Sequence, residues 1–109
     1  QHEPILFTWN KTHKKIMQGT HKTSCWFIDK PMASKLHPTM KPVELIVNAI
    51  MNSSEENDLV YDPFLGSGST LIAAEKTKRI CYGVELDPHY CDVIVKRWED
   101  FTGKKAVLL

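Results

Sequence analysis

Long apolar runs are missing from this sequence: no stretch approaches the roughly eighteen consecutive apolar residues of a membrane-crossing helix. The N-terminal residues also lack the charged-then-apolar pattern of an export signal, so the expectation is a soluble, cytoplasmic protein with no membrane partner. Cysteine is scarce and scattered. Cys25, Cys81 and Cys91 show neither a Cys-x-x-Cys pair nor histidine partners at ligand spacing, which argues for reduced thiols and against a disulfide frame or metal site. A third glycine is lacking three residues after Gly68, where Leu71 stands, so Gly66-Ser67-Gly68 is a poor dinucleotide fingerprint. No lysine follows Gly68 either, which argues against a phosphate loop. What remains is a chain of 109 residues, 42% hydrophobic with three Trp, enough for one domain around one core.

The formal net charge of +1 conceals an asymmetry. Residues 1–42 carry seven lysines against two acids, together with four of the five histidines, whereas residues 43–109 carry seven basic against eleven acidic side chains. The chain thus divides into a basic arm with short strands, residues 1–36, and an acidic core, residues 37–109. Between Asn10 and Thr23 no helical apolar stripe is present, so this part of the arm reads as a loop or hairpin. Lys11, Lys14, Lys15 and Lys22 within it are candidates for DNA phosphate contacts, which position a duplex without reading it. A solvated, mobile arm accounts for the same composition equally well.

Pro4–Trp9 and Ser24–Ile28 are apolar runs of strand length. A helix is predicted from Lys41-Pro42 to Asn52, because Val43, Ile46, Val47, Ile50 and Met51 fall on one face. Asp58–Asp62 and Ile80–Glu85 read as strands joined by a crossover helix over Ser69–Thr77, for which Ser69 or Thr70 supplies a hydroxyl N-cap. Asp87 caps a further helix with Pro88 in its first turn. Its stripe of Tyr90, Val93, Ile94, Arg97, Trp98 and Phe101 is expected to face the core, and Gly103 to end it. Ala106–Leu109 reads as either an edge strand or a frayed tail.

The stretch that organises all this is Asp62-Pro63-Phe64-Leu65-Gly66-Ser67-Gly68-Ser69-Thr70. Strand, glycine turn and helix in succession let backbone approach a ligand at a helix N-terminus. Asp62 ends the first strand. Glu85, seventeen residues beyond Gly68, ends the second, an offset suited to gripping ribose hydroxyls. Two acids without a phosphate cradle suit a nucleoside with a cationic tail, and S-adenosylmethionine is such a molecule. Either acid alone reads as an ordinary strand-end residue; the pair at this spacing carries the inference.

In the order His37-Pro38-Thr39-Met40-Lys41-Pro42, the Asp62–Thr70 turn, then Gly83-Val84-Glu85-Leu86-Asp87, the chain resembles the C-terminal part of a beta-type (permuted) DNA amino-methyltransferase, the group acting on adenine N6 or cytosine N4. The resemblance implies an α/β, partial Rossmann-like methyltransferase fold with a small, mainly parallel sheet flanked by helices. It implies S-adenosylmethionine as cofactor and double-stranded DNA as partner, adenine N6 being the favoured target. By the same resemblance, Thr39 and Lys41 reach the methionine end of the cofactor, Asp62 and Phe64 line its sulfonium region, and Gly66, Ser67 and Gly68 form the backbone turn. Ser69 and Thr70 offer hydroxyls and amides at the helix start, and Glu85 takes the ribose.

Such enzymes also need an Asp/Asn/Ser-Pro-Pro-aromatic element to orient the target amine, and no such tetrapeptide occurs here. Asp87-Pro88-His89-Tyr90 looks similar, but its carboxylate is committed to capping a helix, so no catalytic residue is assigned. The expectation is a C-terminal fragment, inactive alone, whose partner is the preceding catalytic part of the parent protein. Without that part, an open strand edge invites a homodimer. The alternative function is a non-catalytic module that binds cofactor or DNA.

Overall fold

The computed structural model describes residues 4–6, 25–29 and 40–109. Helix α1 spans Val43–Ser53. Pro42 caps it with a backbone already turned to φ −59°, and Val43, Ile46, Val47 and Ile50 form the inward stripe that their spacing predicts. Met51, expected on that face, is exposed at its margin. The helix stops where Ser54 turns extended and donates its hydroxyl to the Ile50 carbonyl at 2.6 Å.

Strands β1 (Leu59–Asp62) and β2 (Ile80–Gly83) pair in parallel, with Leu59 opposite Ile80 and Asp62 opposite Gly83. Helix α2 (Ser69–Lys76) makes the crossover between them. The loops entering both strands share a bond from the Asn57 amide to the Lys78 carbonyl, 2.8 Å. Arg79 adds a clip, donating to the hydroxyl and carbonyl of Ser54 at 3.1 and 2.7 Å, so the end of α1 is tied to the start of β2. Helix α3 spans Pro88–Thr102; the Asp87 carboxylate accepts from the His89 amide at 2.9 Å, and Gly103 ends the helix in a left-handed conformation.

Ala73 and Ala74 are fully buried, and their small side chains let α2 lie close to both α1 and the strands. Around them gather Ile50 and, partly buried, Val43, Ile46, Val47, Val60 and Cys81. A fully buried isoleucine contributes about 1.5–3 kcal/mol, so Ile50, Ile72 and Ile94 carry much of the core's stabilisation. Because side chains alternate along a strand, the sheet's second face carries Leu59, Tyr61, Ile80, Tyr82 and Val84, and each of these is more than half exposed. Among the described residues, the helices therefore cover one face of the sheet and leave the other bare.

Two expectations need correction, and one open choice is decided. Of the expected strands Pro4–Trp9 and Ser24–Ile28, the described residues 4–6 and 25–28 form none, while residues 7–9 and 24 lie outside the described residues; the sheet of the described residues has two strands. Neither Ser69 nor Thr70 caps α2; the cap position is Gly68 at φ +85°, and both hydroxyls are used elsewhere. The final residues form no edge strand: Glu99 holds the Ala106 amide and Lys105, and Val107–Leu109 are exposed. No helix among the described residues is long and apolar enough to cross a membrane.

Candidate functional site

The register that sets Asp62 opposite Gly83 brings the two strand tips together. The Val84 amide donates to the Asp62 carbonyl and the Leu65 amide to the Val84 carbonyl, each at 2.9 Å, so the chain leaving β1 wraps over the end of β2. Asp62 is the pivot of that wrap. One carboxylate oxygen accepts from the Phe64 amide at 3.0 Å, and the other from the Thr70 hydroxyl at 2.6 Å, joining strand end to helix start.

Glu85 closes the turn from the other side. One of its oxygens accepts from the Gly66 amide at 2.7 Å and the other from the Asp87 amide at 2.9 Å. These amides, Asp87 first, with those of Gly66 and Leu86, hold the Glu85 carboxyl below the usual carboxylate range, against partial burial and the charge of Asp87. Burial, and then the negative charge of Asp62, push the Cys81 thiol upward on β2. Gly66 at φ +57° and Gly68 at φ +85° supply the left-handed backbone that returns the turn to α2.

Of the residues expected in the site, Asp62, Phe64, Gly66, Ser67, Gly68, Ser69, Thr70 and Glu85 are drawn into one corner. Lys41 joins them through its backbone, whose carbonyl accepts from the Ser69 hydroxyl at 3.0 Å. Thr39 and the lysines Lys11, Lys14, Lys15 and Lys22 lie outside the described residues. Among the described residues no cluster of His, Cys, Asp or Glu could hold a metal ion.

Two features escaped the sequence reading. Leu86, 95% exposed, is the first: with the already expected Phe64, 87% exposed, it sets a second apolar side chain near the acids of the corner. An apolar residue directly after a strand-tip acid was the available signal for Leu86. The second feature is Arg97, which leaves the α3 stripe to donate to the Ser67 carbonyl. A cation within an otherwise apolar stripe was the signal there.

The family profile described as DNA methylase, of the N6/N4 type, matches residues 2–96. The chain belongs to that family. Among curated relatives, this methylase chain is 37% identical over 101 residues to the type II methyltransferase M.HinfI of Haemophilus influenzae, covering 84% of this chain and 28% of that protein. It is 38% identical over 93 residues to the type II methyltransferase M2.LlaDCHI of Lactococcus lactis subsp. cremoris, covering 84% of this chain and 32% of the other. The methylase chain thus spans about a third of the length of these relatives.

Solved structures agree. The M1.HpyAVI–SAM complex matches with a TM-score of 0.58 and 33% identity, over 63% of this chain and 34% of that one. TTHA0409 of Thermus thermophilus, complexed with S-adenosyl-L-methionine, matches with a TM-score of 0.55 and 39% identity, over 59% of this chain and 26% of that one. The methylase chain has part of a Rossmann-like methyltransferase fold.

Proposed function

We propose that residues 1–109 form a single unit supplying the S-adenosylmethionine side of a site-specific DNA methyltransferase, which transfers methyl to adenine N6 in preference to cytosine N4. The observation that carries this reading is the corner itself, where Asp62 ends β1 and Glu85, two residues beyond the end of the adjacent parallel β2, holds a turn bearing two left-handed glycines.

The corner fits such a guest. A carboxylate has about four acceptor positions, so Glu85 retains capacity for ribose hydroxyls after accepting its two amides. The exposed faces of Phe64 and Leu86 suit a flat base and a thioether-like tail. Asp62 supplies negative charge toward the sulfonium end, and Lys41 with Thr39 would meet the methionine carboxylate. Ser67, Ser69 and Thr70 keep the Gly66–Gly68 backbone in shape. The cofactor, when bound, supplies an electrophilic methyl group; the residues of this chain orient it.

The Pro-Pro-aromatic element that would direct a flipped base amine comes from the remainder of the methylase, and these residues alone are inactive. That remainder also covers the bare face of Leu59, Tyr61, Ile80, Tyr82 and Val84. Expressed without it, the unit pairs with a second copy through its open sheet edges, which sedimentation tests: a clean monomer at high concentration argues against this pairing. Lys11, Lys14, Lys15 and Lys22 would contact duplex phosphates, in a cytoplasmic enzyme of the restriction–modification type. The second reading, a module that binds cofactor or DNA without turnover, draws on the missing tetrapeptide.

Calorimetric titration tests the binding claim. Heat with S-adenosylhomocysteine and none with NAD is expected; heat with NAD alone overturns it. Nucleoside analysis of DNA methylated by the whole enzyme then separates N6-methyladenine from N4-methylcytosine, and no methylated base at all favours the non-catalytic module.

A further inference from the structure

Arg97 has no part in the cofactor contacts assigned above, yet three oxygens of the glycine turn face it. Its Nη1 donates to the Ser67 carbonyl at 3.0 Å and to the Ser69 hydroxyl at 3.2 Å, with the Ser67 hydroxyl at 3.5 Å. Both serines are buried, at 5% and 6% exposure. The Ser69 hydroxyl passes the connection on, donating to the Lys41 carbonyl at 3.0 Å. One guanidinium therefore links α3, the turn and the segment entering α1, three parts far apart in sequence.

We infer that Arg97 is a positioning residue, whose guanidinium holds the Gly66–Gly68 turn and, through Ser69, the Lys41 segment in the shape that receives the cofactor. The inference rests on the S-adenosylmethionine reading of this corner.

Several observations favour shaping over simple tethering of α3. That helix already has tethers to α2, since Trp98 Nε1 donates to Glu75 at 3.2 Å and Lys104 pairs with the same carboxylate at 3.6 Å. Burial depresses the Arg97 guanidinium from its usual range, a cost that a mere tether has no need to incur. Ser67 lies between two left-handed glycines, so its peptide is not held by helical neighbours, and Arg97 is the donor its carbonyl meets. A guanidinium would also repel a sulfonium, so a place behind the turn, bonded to carbonyl and hydroxyl oxygens, fits an indirect role. All three oxygens gather around the one nitrogen Nη1, a point at the full reach of an arginine, which the shorter lysine stem brings its ammonium short of.

The test is calorimetry on the full methylase, titrating S-adenosylhomocysteine and S-adenosylmethionine into wild type, Arg97→Lys, Arg97→Met and Trp98→Phe. Arg97→Met should weaken both ligands by the same factor, about tenfold or more, and Arg97→Lys should fall between it and wild type. In turnover, KM for the cofactor should rise while kcat at saturation stays nearly constant. Trp98→Phe, which cuts the tether to Glu75, should lower the unfolding midpoint and leave affinity unchanged.

Wild-type affinity in Arg97→Lys overturns the positioning role, and it does so even where Arg97→Met fails to fold. A loss for S-adenosylmethionine alone overturns it too, by revealing direct contact with the charged sulfur. Absence of either ligand's heat in the wild type instead overturns the cofactor reading, and this inference with it.

Discussion

Replacing Gly68 by alanine should damage this protein in two separable ways. The residue sits at φ +85°, where an L side chain costs about 1–2 kcal/mol. The added methyl would also lie 3.2 and 3.4 Å from Cγ1 and Cγ2 of Ile94, a buried residue of α3 with little room to yield. Overpacking of this kind costs about 1–3 kcal/mol, and contacts only a few tenths of an ångström too short belong near the lower end. Gly66→Ala separates the two contributions. Gly66 has φ +57°, but its methyl would meet nothing nearer than the Phe64 carbonyl at 3.9 Å, so the backbone cost stands alone. Urea unfolding should therefore place Gly68→Ala about 1 kcal/mol or more below Gly66→Ala in stability. A cycle with Ile94→Ala isolates the packing contribution, because truncating Ile94 removes the clash and the new methyl partly fills the space. The expected coupling is about 1 kcal/mol in the favourable direction. Equal losses at the two glycines, with no coupling to Ile94, would refute the packing of α3 against this turn.

Glu85→Gln keeps the shape of the side chain but weakens its bonds to the Gly66 and Asp87 amides. Affinity for S-adenosylhomocysteine should fall about tenfold or more, and an unchanged value in a folded variant removes Glu85 from the site. The pH dependence has a definite sign. Glu85 and Glu99 have carboxyls depressed below the usual 4.5, so their contributions are full above that value and lost as pH falls through the depressed one. A carboxyl titration by NMR should put the Glu85 midpoint under 4.5; a midpoint above it contradicts the amide contacts. Asp87→Ala removes the cap on the His89 amide and should cost about 1 kcal/mol in urea unfolding, whereas no loss means that α3 starts elsewhere.

Much of the fold could be read from neighbours at fixed offsets. The stripe Val43, Ile46, Val47, Ile50 and the cap Asp87-Pro88 depend on periodicity and local hydrogen bonding, and both emerge as expected, apart from Met51 at the stripe's margin. The hydroxyl cap on α2 was misread for an instructive reason. Serine before an apolar run normally caps, but here the left-handed Gly68 takes the cap position, which makes Ser69 the first helical residue and aims its hydroxyl at Lys41. No offset rule in the sequence distinguishes these outcomes, because the choice depends on where α1 lies.

The sequence by itself determined the order of elements, the glycine turn and the presence of an acid at the end of β1 and another just beyond β2, which stops at Gly83 and not at the expected Glu85, since these are properties of short, contiguous segments. Only the tertiary structure decided what those groups hold. Asp62 and Glu85 grip the turn's own amides and hydroxyl, Arg97 braces the turn from α3, and among the described residues one face of the sheet is left bare. Contacts of that kind join residues up to thirty apart. They exist only once strand register and helix packing have brought distant segments within hydrogen-bonding distance.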